Sequence, residues 1–182
     1  MEHLNEYREL IRRFANSRTN SRIPNGLPQH ASILVETMLF NATAEMRIYT
    51  KELNESVYGA PEVQAALRKF LSKPYSCLKI LLQDHRDQSW VSKHPMLQIC
   101  EDFRHKFGHG AVMVKTAVGS YSRGANHFTV MDNDGYRFET DHENCKAIAN
   151  FNEPETAKKL IQVFDMAFGM PGTELTYELG VR

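Results

Sequence analysis

The sequence predicts an α/β fold in which helices flank both faces of a mixed β-sheet. In the first half of the chain, amphipathic helical patterns alternate with short runs of β-forming residues, which is typical of parallel βα units. In the second half, Asp134-Gly135 lies between two β-rich runs, Asn126–Met131 and Tyr136–Thr140, and predicts an antiparallel hairpin. Parallel and antiparallel strands are therefore expected within one sheet.

Five helices are predicted, and four of them begin close to a proline, the residue that suits the first helical turn. The first helix covers residues 3–17, where apolar side chains recur at helical spacing. The other four follow Pro28, Pro61, Pro95 and Pro154.

Three strands are predicted before the hairpin, at Met46–Thr50, Cys77–Leu82 and Ala111–Val118. The second is an apolar run broken by a single lysine, which is typical of a buried parallel strand. A further short strand is expected around Ile148 and Phe151. The order helix, βα, βα, β, hairpin, strand, helix agrees with a mixed sheet.

The segment Ser17–Pro28 is rich in Ser, Asn, Arg, Pro and Gly, and it is therefore expected to be a linker or mobile loop. This divides the chain into an N-terminal helix and linker at 1–27, an α/β domain at 28–170 and a short C-terminal tail at 171–182. The first helix is expected to pack separately or onto a partner.

The composition predicts a cytoplasmic protein with no cofactor, no metal and no membrane association. The 22 basic and 22 acidic residues balance, so nothing steers the whole chain toward nucleic acid or an anionic membrane, although a local basic patch stays possible. Cys77, Cys100 and Cys145 are an odd number of cysteines in apolar settings, which favours reduced thiols. His105 and His109 have metal-ligand spacing, but no third ligand is evident. The polar N-terminus lacks a signal-peptide pattern, and no apolar run approaches the roughly 20 residues of a membrane span.

One segment carries a motif with chemical meaning. His127 and Asp134 are spaced as in HxKxxxxD, and Asn150 follows in the run Ala147–Phe151, which is similar to a Gly-Ser-x-Asn-Phe turn. On these residues, and on strands that match the start of the fold, residues 28–168 resemble one half of a phospholipase D-like enzyme. The resemblance is to small bacterial members of the superfamily with an incomplete motif.

The resemblance implies a chemistry and an assembly. In the superfamily, the histidine attacks phosphorus and forms a covalent phosphohistidine, while the lysine and the asparagine hold the phosphate oxygens. Two such motifs normally face each other across a pseudo-dyad. One half-motif per chain therefore implies a homodimer with two-fold symmetry.

The chain departs from the family pattern at the lysine. Thr129 occupies that position, and a hydroxyl cannot neutralise phosphate as an ammonium does. Lys146, Lys115 and Arg123 are the cations that could point into the pocket instead. The glycine and serine of the turn are replaced by alanine and isoleucine, and the interval from the aspartate to the asparagine is longer than usual.

Each motif residue also has a structural explanation. His127 can be a strand histidine satisfied by backbone or solvent, Asp134 suits its turn, and Asn150 can cap the last helix. The ligand-binding set that the resemblance predicts is His127, Asn150, Lys146, Lys115 and Arg123.

Three functions follow from these observations. The first is a non-catalytic phospholipase D-like module that binds a phosphorylated ligand, nucleic acid or a protein partner, because Thr129 removes the main counter-charge of phosphate. The alternative is a phosphodiesterase or nuclease in which His127 acts across a homodimer interface, with Lys146 or Lys115 as the phosphate clamp. The third is a structural subunit of a larger complex without a ligand pocket.

Overall fold

A computed structural model of the chain describes residues 2–84, 86–107, 112–124, 127–141, 144 and 146–179; for residues 2, 88, 104–107 and 174–179 it describes the backbone. This part of the chain contains seven α-helices: α1 Glu2–Asn16, α2 Pro28–Asn41, α3 Glu55–Tyr58, α4 Pro61–Leu71, α5 Gln88–Lys93, α6 Pro95–Phe107 and α7 Pro154–Phe168. It contains eight strands: β1 Ile23–Asn25, β2 Glu45–Thr50, β3 Cys77–Leu82, β4 Val112–Thr116, β5 Phe128–Met131, β6 Gly135–Asp141, β7 Lys146–Asn150 and β8 Glu174–Leu179.

The strands form one sheet in the order β1-β7-β6-β5-β2-β3-β4-β8. The three strands β2, β3 and β4 run parallel to one another, and each of the other neighbouring pairs is antiparallel. The hairpin β5–β6 begins at the predicted turn, with Met131 opposite Gly135. The prediction of a mixed sheet is confirmed.

Helices cover both faces of this sheet, as the sequence predicts. Side chains alternate along each strand, so Ile48 and Ile80 face one core while Tyr49 and Leu81 face the other. Residues of α1 to α6 fill the first core, which we call the α2 core, and α7 packs on the second, which we call the α7 core. The two cores fix which side chains can meet on each face.

The structure adds two edge strands that the sequence analysis did not predict. β1 lies in the expected linker and pairs with β7, and β8 lies in the expected tail and pairs with β4. A strand of three residues is too short to show a period. In β8, the alternation of Leu175, Tyr177 and Leu179 is a strand pattern, but the sequence analysis assigned that segment to the tail.

The first helix belongs to the α2 core rather than packing separately. Ile11 is fully buried in that core, and α1 packs against α2. The edge strand β1 precedes the boundary proposed at residue 27, and the edge strand β8 follows the boundary proposed at residue 170.

Cys77 is half-buried, and Cys100 is buried and is a free thiol. Burial raises the pKa of both thiols. Cys145, His109 and the side chain of His105 lie outside the described residues. Within the described ranges, every helix is too short or too polar to cross a bilayer.

Asp132 connects the turn of the hairpin to the start of β2. Its carboxylate accepts hydrogen bonds from the amides of Thr43, Ala44 and Glu45 at 2.8–2.9 Å, and from the Thr43 hydroxyl at 2.9 Å. Burial alone would raise the pKa of Asp132, but these hydrogen bonds together hold it below its usual value.

We expect Asp132→Ala to lower the free energy of unfolding by about 1–2 kcal/mol at neutral pH, because it removes a carboxylate that caps backbone amides. Since the folded pKa is depressed, this stabilisation is present above the ordinary aspartate pKa of about 3.9 and is lost as the pH falls through the folded pKa. Urea unfolding of both proteins between neutral and acidic pH measures the difference. Asp102→Ala, at an exposed position on α6, is the control. A difference in the free energy of unfolding that stays constant down to acidic pH would contradict the stabilising role of the ionised Asp132 carboxylate.

Candidate functional site

His127 lies at the start of β5, buried between polar side chains from two other parts of the sheet. Its Nδ1 is 3.3 Å from Oε2 of Glu139, which lies on β6. Its Nε2 is 3.1 Å from Oε1 of Gln83, which follows the last residue of β3. The carboxyl ends of parallel strands are where α/β proteins commonly bind ligands. His127 therefore lies at the end of the sheet that is suited to a site.

Arg137 brings a cation to this site, and the sequence analysis did not identify it. It pairs directly with Thr129 across the hairpin, so the two side chains share a face. The Arg137 side chain is 3 % exposed. It donates one hydrogen bond to Oε1 of Glu139 at 2.6 Å and another to Oδ1 of Asn25 at 3.3 Å. The carboxylate of Glu139 therefore balances its charge inside the protein.

Two further groups extend the polar network. Asn25 on β1 donates a hydrogen bond to the carbonyl of Ala147 at 3.0 Å. The Thr129 hydroxyl is 3.5 Å from that of Tyr58, at the end of α3. Burial raises the pKa of Tyr58, and the charge of Arg137 opposes this rise. We call the set Asn25, Tyr58, Gln83, His127, Thr129, Arg137 and Glu139 the His127 cluster.

The structure does not bring Asn150 to His127. Asn150 follows the α2-core residue of β7, so its side chain lies on the α7 side of the sheet. Its amide donates hydrogen bonds to Asn20 at 2.9 Å and to Glu153 at 3.2 Å, and its oxygen accepts one from the amide of Asn152 at 2.9 Å. Asn150 thus shapes the chain just before α7.

The three cations that the sequence analysis considered have other surroundings. Lys115 donates a hydrogen bond to the carbonyl of Phe168 at 3.0 Å, on the α7 side of the sheet. Lys146 has a side chain that is 64 % exposed and lies 3.7 Å from Asp141. Arg123 is exposed at the end of a short 3-10 helix, Gly119–Arg123. The cation that the structure places opposite Thr129 is Arg137.

Asp134, the aspartate of the motif, serves the turn and the N-terminal segment. Its carboxylate forms an ion pair with Arg18, and its carbonyl accepts a hydrogen bond from the amide of Glu153 at 2.8 Å. The contacts therefore agree with a role in the turn.

The register of the hairpin is the signal that could have identified Arg137 and Glu139. Counting outward from the turn at Gly135 places Arg137 opposite Thr129 and Glu139 beside His127. Asn25 offered no comparable signal, because β1 is too short to show a strand pattern.

The His127 cluster contains the kinds of group that handle anions, but their charges are already matched. A carboxylate that holds one ring nitrogen of histidine orients the ring and presents the other nitrogen. Glu139 is placed to do this at Nδ1, while Nε2 faces the oxygen of Gln83. The positive charge opposite Thr129 is paired with the same carboxylate.

The fold is phospholipase D-like. The chain superposes on Nuc of Salmonella typhimurium, a phospholipase D family member, with a TM-score of 0.56 and 13 % identity over 86 % of this chain and 99 % of that one. NucT of Helicobacter pylori gives a TM-score of 0.54 and 8 % identity over 82 % of this chain and 96 % of that one. TrmBL2, an archaeal chromatin protein, gives a TM-score of 0.59 and 12 % identity over 94 % of this chain. The chain spans 61 % of the length of TrmBL2.

The chain belongs to the family described as a domain of unknown function (DUF7931), which it matches over residues 28–175. A comparison with curated proteins finds no match. The similarity to solved structures therefore establishes the fold, and function has to be argued from the site.

We expect Arg137→Met to lower the free energy of unfolding by about 3 kcal/mol, because it leaves the Glu139 carboxylate without its cation in a buried setting. Glu139→Gln should lower the free energy of unfolding by less in the Arg137→Met variant than in the wild type. The expected coupling energy between the two substitutions is about 1 kcal/mol or more. Chemical unfolding of the two single variants and the double variant measures this. Lys146→Met, at an exposed ion pair, should change stability by less than about 0.5 kcal/mol. Additive effects of the two cluster substitutions would show that the pair is not coupled.

Proposed function

We propose that the chain is a phospholipase D-like binding module that does not turn over phosphodiesters. The observation that carries this is the pairing of Arg137 with Glu139 at 2.6 Å, opposite the threonine that replaces the motif lysine. Phosphoryl transfer needs positive charge aimed at the developing phosphorane. Releasing Arg137 would break a buried ion pair, which costs about 3–5 kcal/mol.

The ligand of such a module is a phosphorylated molecule, a nucleic acid or a protein partner. Two solved structures of this fold support the first two of these ligands. Nuc is a phospholipase D family member, and TrmBL2 is a chromatin protein described with a novel mode of DNA binding. Because this fold hosts both, a degenerate member that binds without turnover is consistent with the comparisons. We place this module in the bacterial cytoplasm, where the buried thiol of Cys100 would stay reduced.

A second candidate function is a phosphodiesterase or nuclease that acts through His127 across a homodimer interface. It is favoured by one specific observation, the approach of Glu139 to Nδ1 at 3.3 Å, which would orient the ring for nucleophilic attack by Nε2. Lys115 and Lys146, the clamps expected from the sequence, contact other groups, so Arg137 would have to serve as the clamp.

We expect no His127-dependent hydrolysis of a chromogenic phosphodiester or of labelled single-stranded DNA. The rates of the wild type, His127→Ala and His3→Ala should be the same, because the counter-charge for the transition state is neutralised. His3 is fully exposed on α1, so its variant reports contaminating nuclease. Turnover that His3→Ala keeps and His127→Ala abolishes would establish the second candidate instead.

We also propose that the chain forms a two-fold homodimer, since it carries one half of a motif that works in pairs. Light scattering coupled to size exclusion should give twice the mass of one chain over a range of loading concentrations. A monomer at every concentration would refute this assembly and, with it, any chemistry shared between two copies of His127.

A further inference from the structure

A second surface, at the other end of the sheet, exposes two aromatic rings beside two lysines. It lies where α2 leads into β2 and α4 leads into β3, at the amino ends of these strands. The His127 cluster lies at their carboxyl ends, about 20 Å away by the rise of a six-residue strand. We call the set Phe40, Lys69, Lys73 and Tyr75 the Tyr75 surface.

Tyr75 is presented to solvent in a backbone conformation that tyrosine rarely adopts. Its φ is 63°, and the residue is 98 % exposed. It is the third residue of the four-residue turn 73–76, directly after Pro74. The turn closes with a hydrogen bond from the amide of Ser76 to the carbonyl of Lys73 at 3.3 Å. Glycine is the usual residue at such a position. A ring in solvent adds no packing, so folding does not explain why tyrosine occupies this position.

The turn is fixed to the end of α2. The Lys73 amine donates hydrogen bonds to the carbonyl of Phe40, at 3.0 Å, and to that of Ala42. These contacts join the turn that carries Tyr75 to the end of the helix that carries Phe40. The charge of Asp132 also reaches Lys73, but its carboxylate is engaged by the backbone amides that precede β2.

Phe40 is the second exposed ring. It is 51 % exposed, and the Lys69 amine lies 3.8 Å from the centre of its ring. Phe40 and Lys69 also form part of the wall of a cavity of about 630 Å³ between α1, α2 and α4, which Arg12 lines as well. The Phe40 ring therefore lies against the Lys69 cation and beside a cavity whose wall also contains Glu36 and Glu62.

We infer that the Tyr75 surface binds single-stranded nucleic acid, with bases stacked on Tyr75 and Phe40 and phosphates beside Lys69 and Lys73. Aromatic side chains on which bases stack, alternating with cations along the backbone path, are how proteins bind single strands without reading sequence. A docked protein would instead need a contiguous apolar centre. A duplex should bind more weakly, because the faces of its bases are already stacked on one another. The inference is independent of the proposal for His127.

Fluorescence anisotropy of the full-length chain with labelled oligodeoxythymidine of about 16 nucleotides tests this; that length is at the upper end of known site sizes. Tyr75→Gly and Phe40→Ala should each weaken binding by about tenfold, which is the loss of one stacked base. Lys69→Ala should weaken binding and lower the slope of log affinity against log salt by about 0.7. Met166→Ala, which removes an exposed apolar side chain on α7, should bind as the wild type does.

The glycine variant separates binding from folding. Because glycine suits the positive φ at this position, Tyr75→Gly should melt at the same temperature as the wild type or higher. A tenfold loss of binding with no loss of stability would support the inference. Wild-type affinity in both aromatic variants would overturn it, as would equal affinity for duplex of the same length. A purified oligomer that Tyr75→Gly dissociates, without any oligonucleotide binding, would overturn it in favour of an interface between copies.

Discussion

The ion pair between Arg137 and Glu139 is the interaction on which the arrangement of the candidate site depends. Glu139 faces two groups at once, the guanidinium of Arg137 and Nδ1 of His127, so one carboxylate sets both the charge and the orientation of the cluster. Because Arg137 is buried opposite Thr129, its charge cannot be left unpaired without a large cost. In the proposed binding module, this pairing withholds the cation that a phosphate would need.

Much of the fold could be predicted from the sequence, because it follows from periodicity and turn chemistry. Alternating helical and β-rich runs specify the parallel centre, and Asp134-Gly135 specifies the hairpin. The site could be predicted only in part. His127 was identified from its motif, but Arg137 becomes visible only once the hairpin register is counted. The face on which Asn150 lies depends on strand pairing, and a single sequence does not reveal it.

The two ends of the sheet differ in character. At the carboxyl ends of the parallel strands, polar groups are buried and their charges are matched within the protein. At the amino ends, the side chains of Phe40, Lys69 and Tyr75 are exposed, and Tyr75 has an unfavourable backbone angle. This difference agrees with the proposal of a module that binds without turnover.

The most direct test of the central claim is to look for the covalent intermediate itself. The wild type is mixed briefly with an excess of a phosphodiester that has a good leaving group, then quenched and analysed by intact-mass spectrometry. This would detect a phosphohistidine even if a slow later step prevented turnover. We predict a single species with the mass of the unmodified chain at all times. An adduct that is absent in His127→Ala would contradict the account, because it would mean that Arg137 supplies charge to phosphorus despite Glu139.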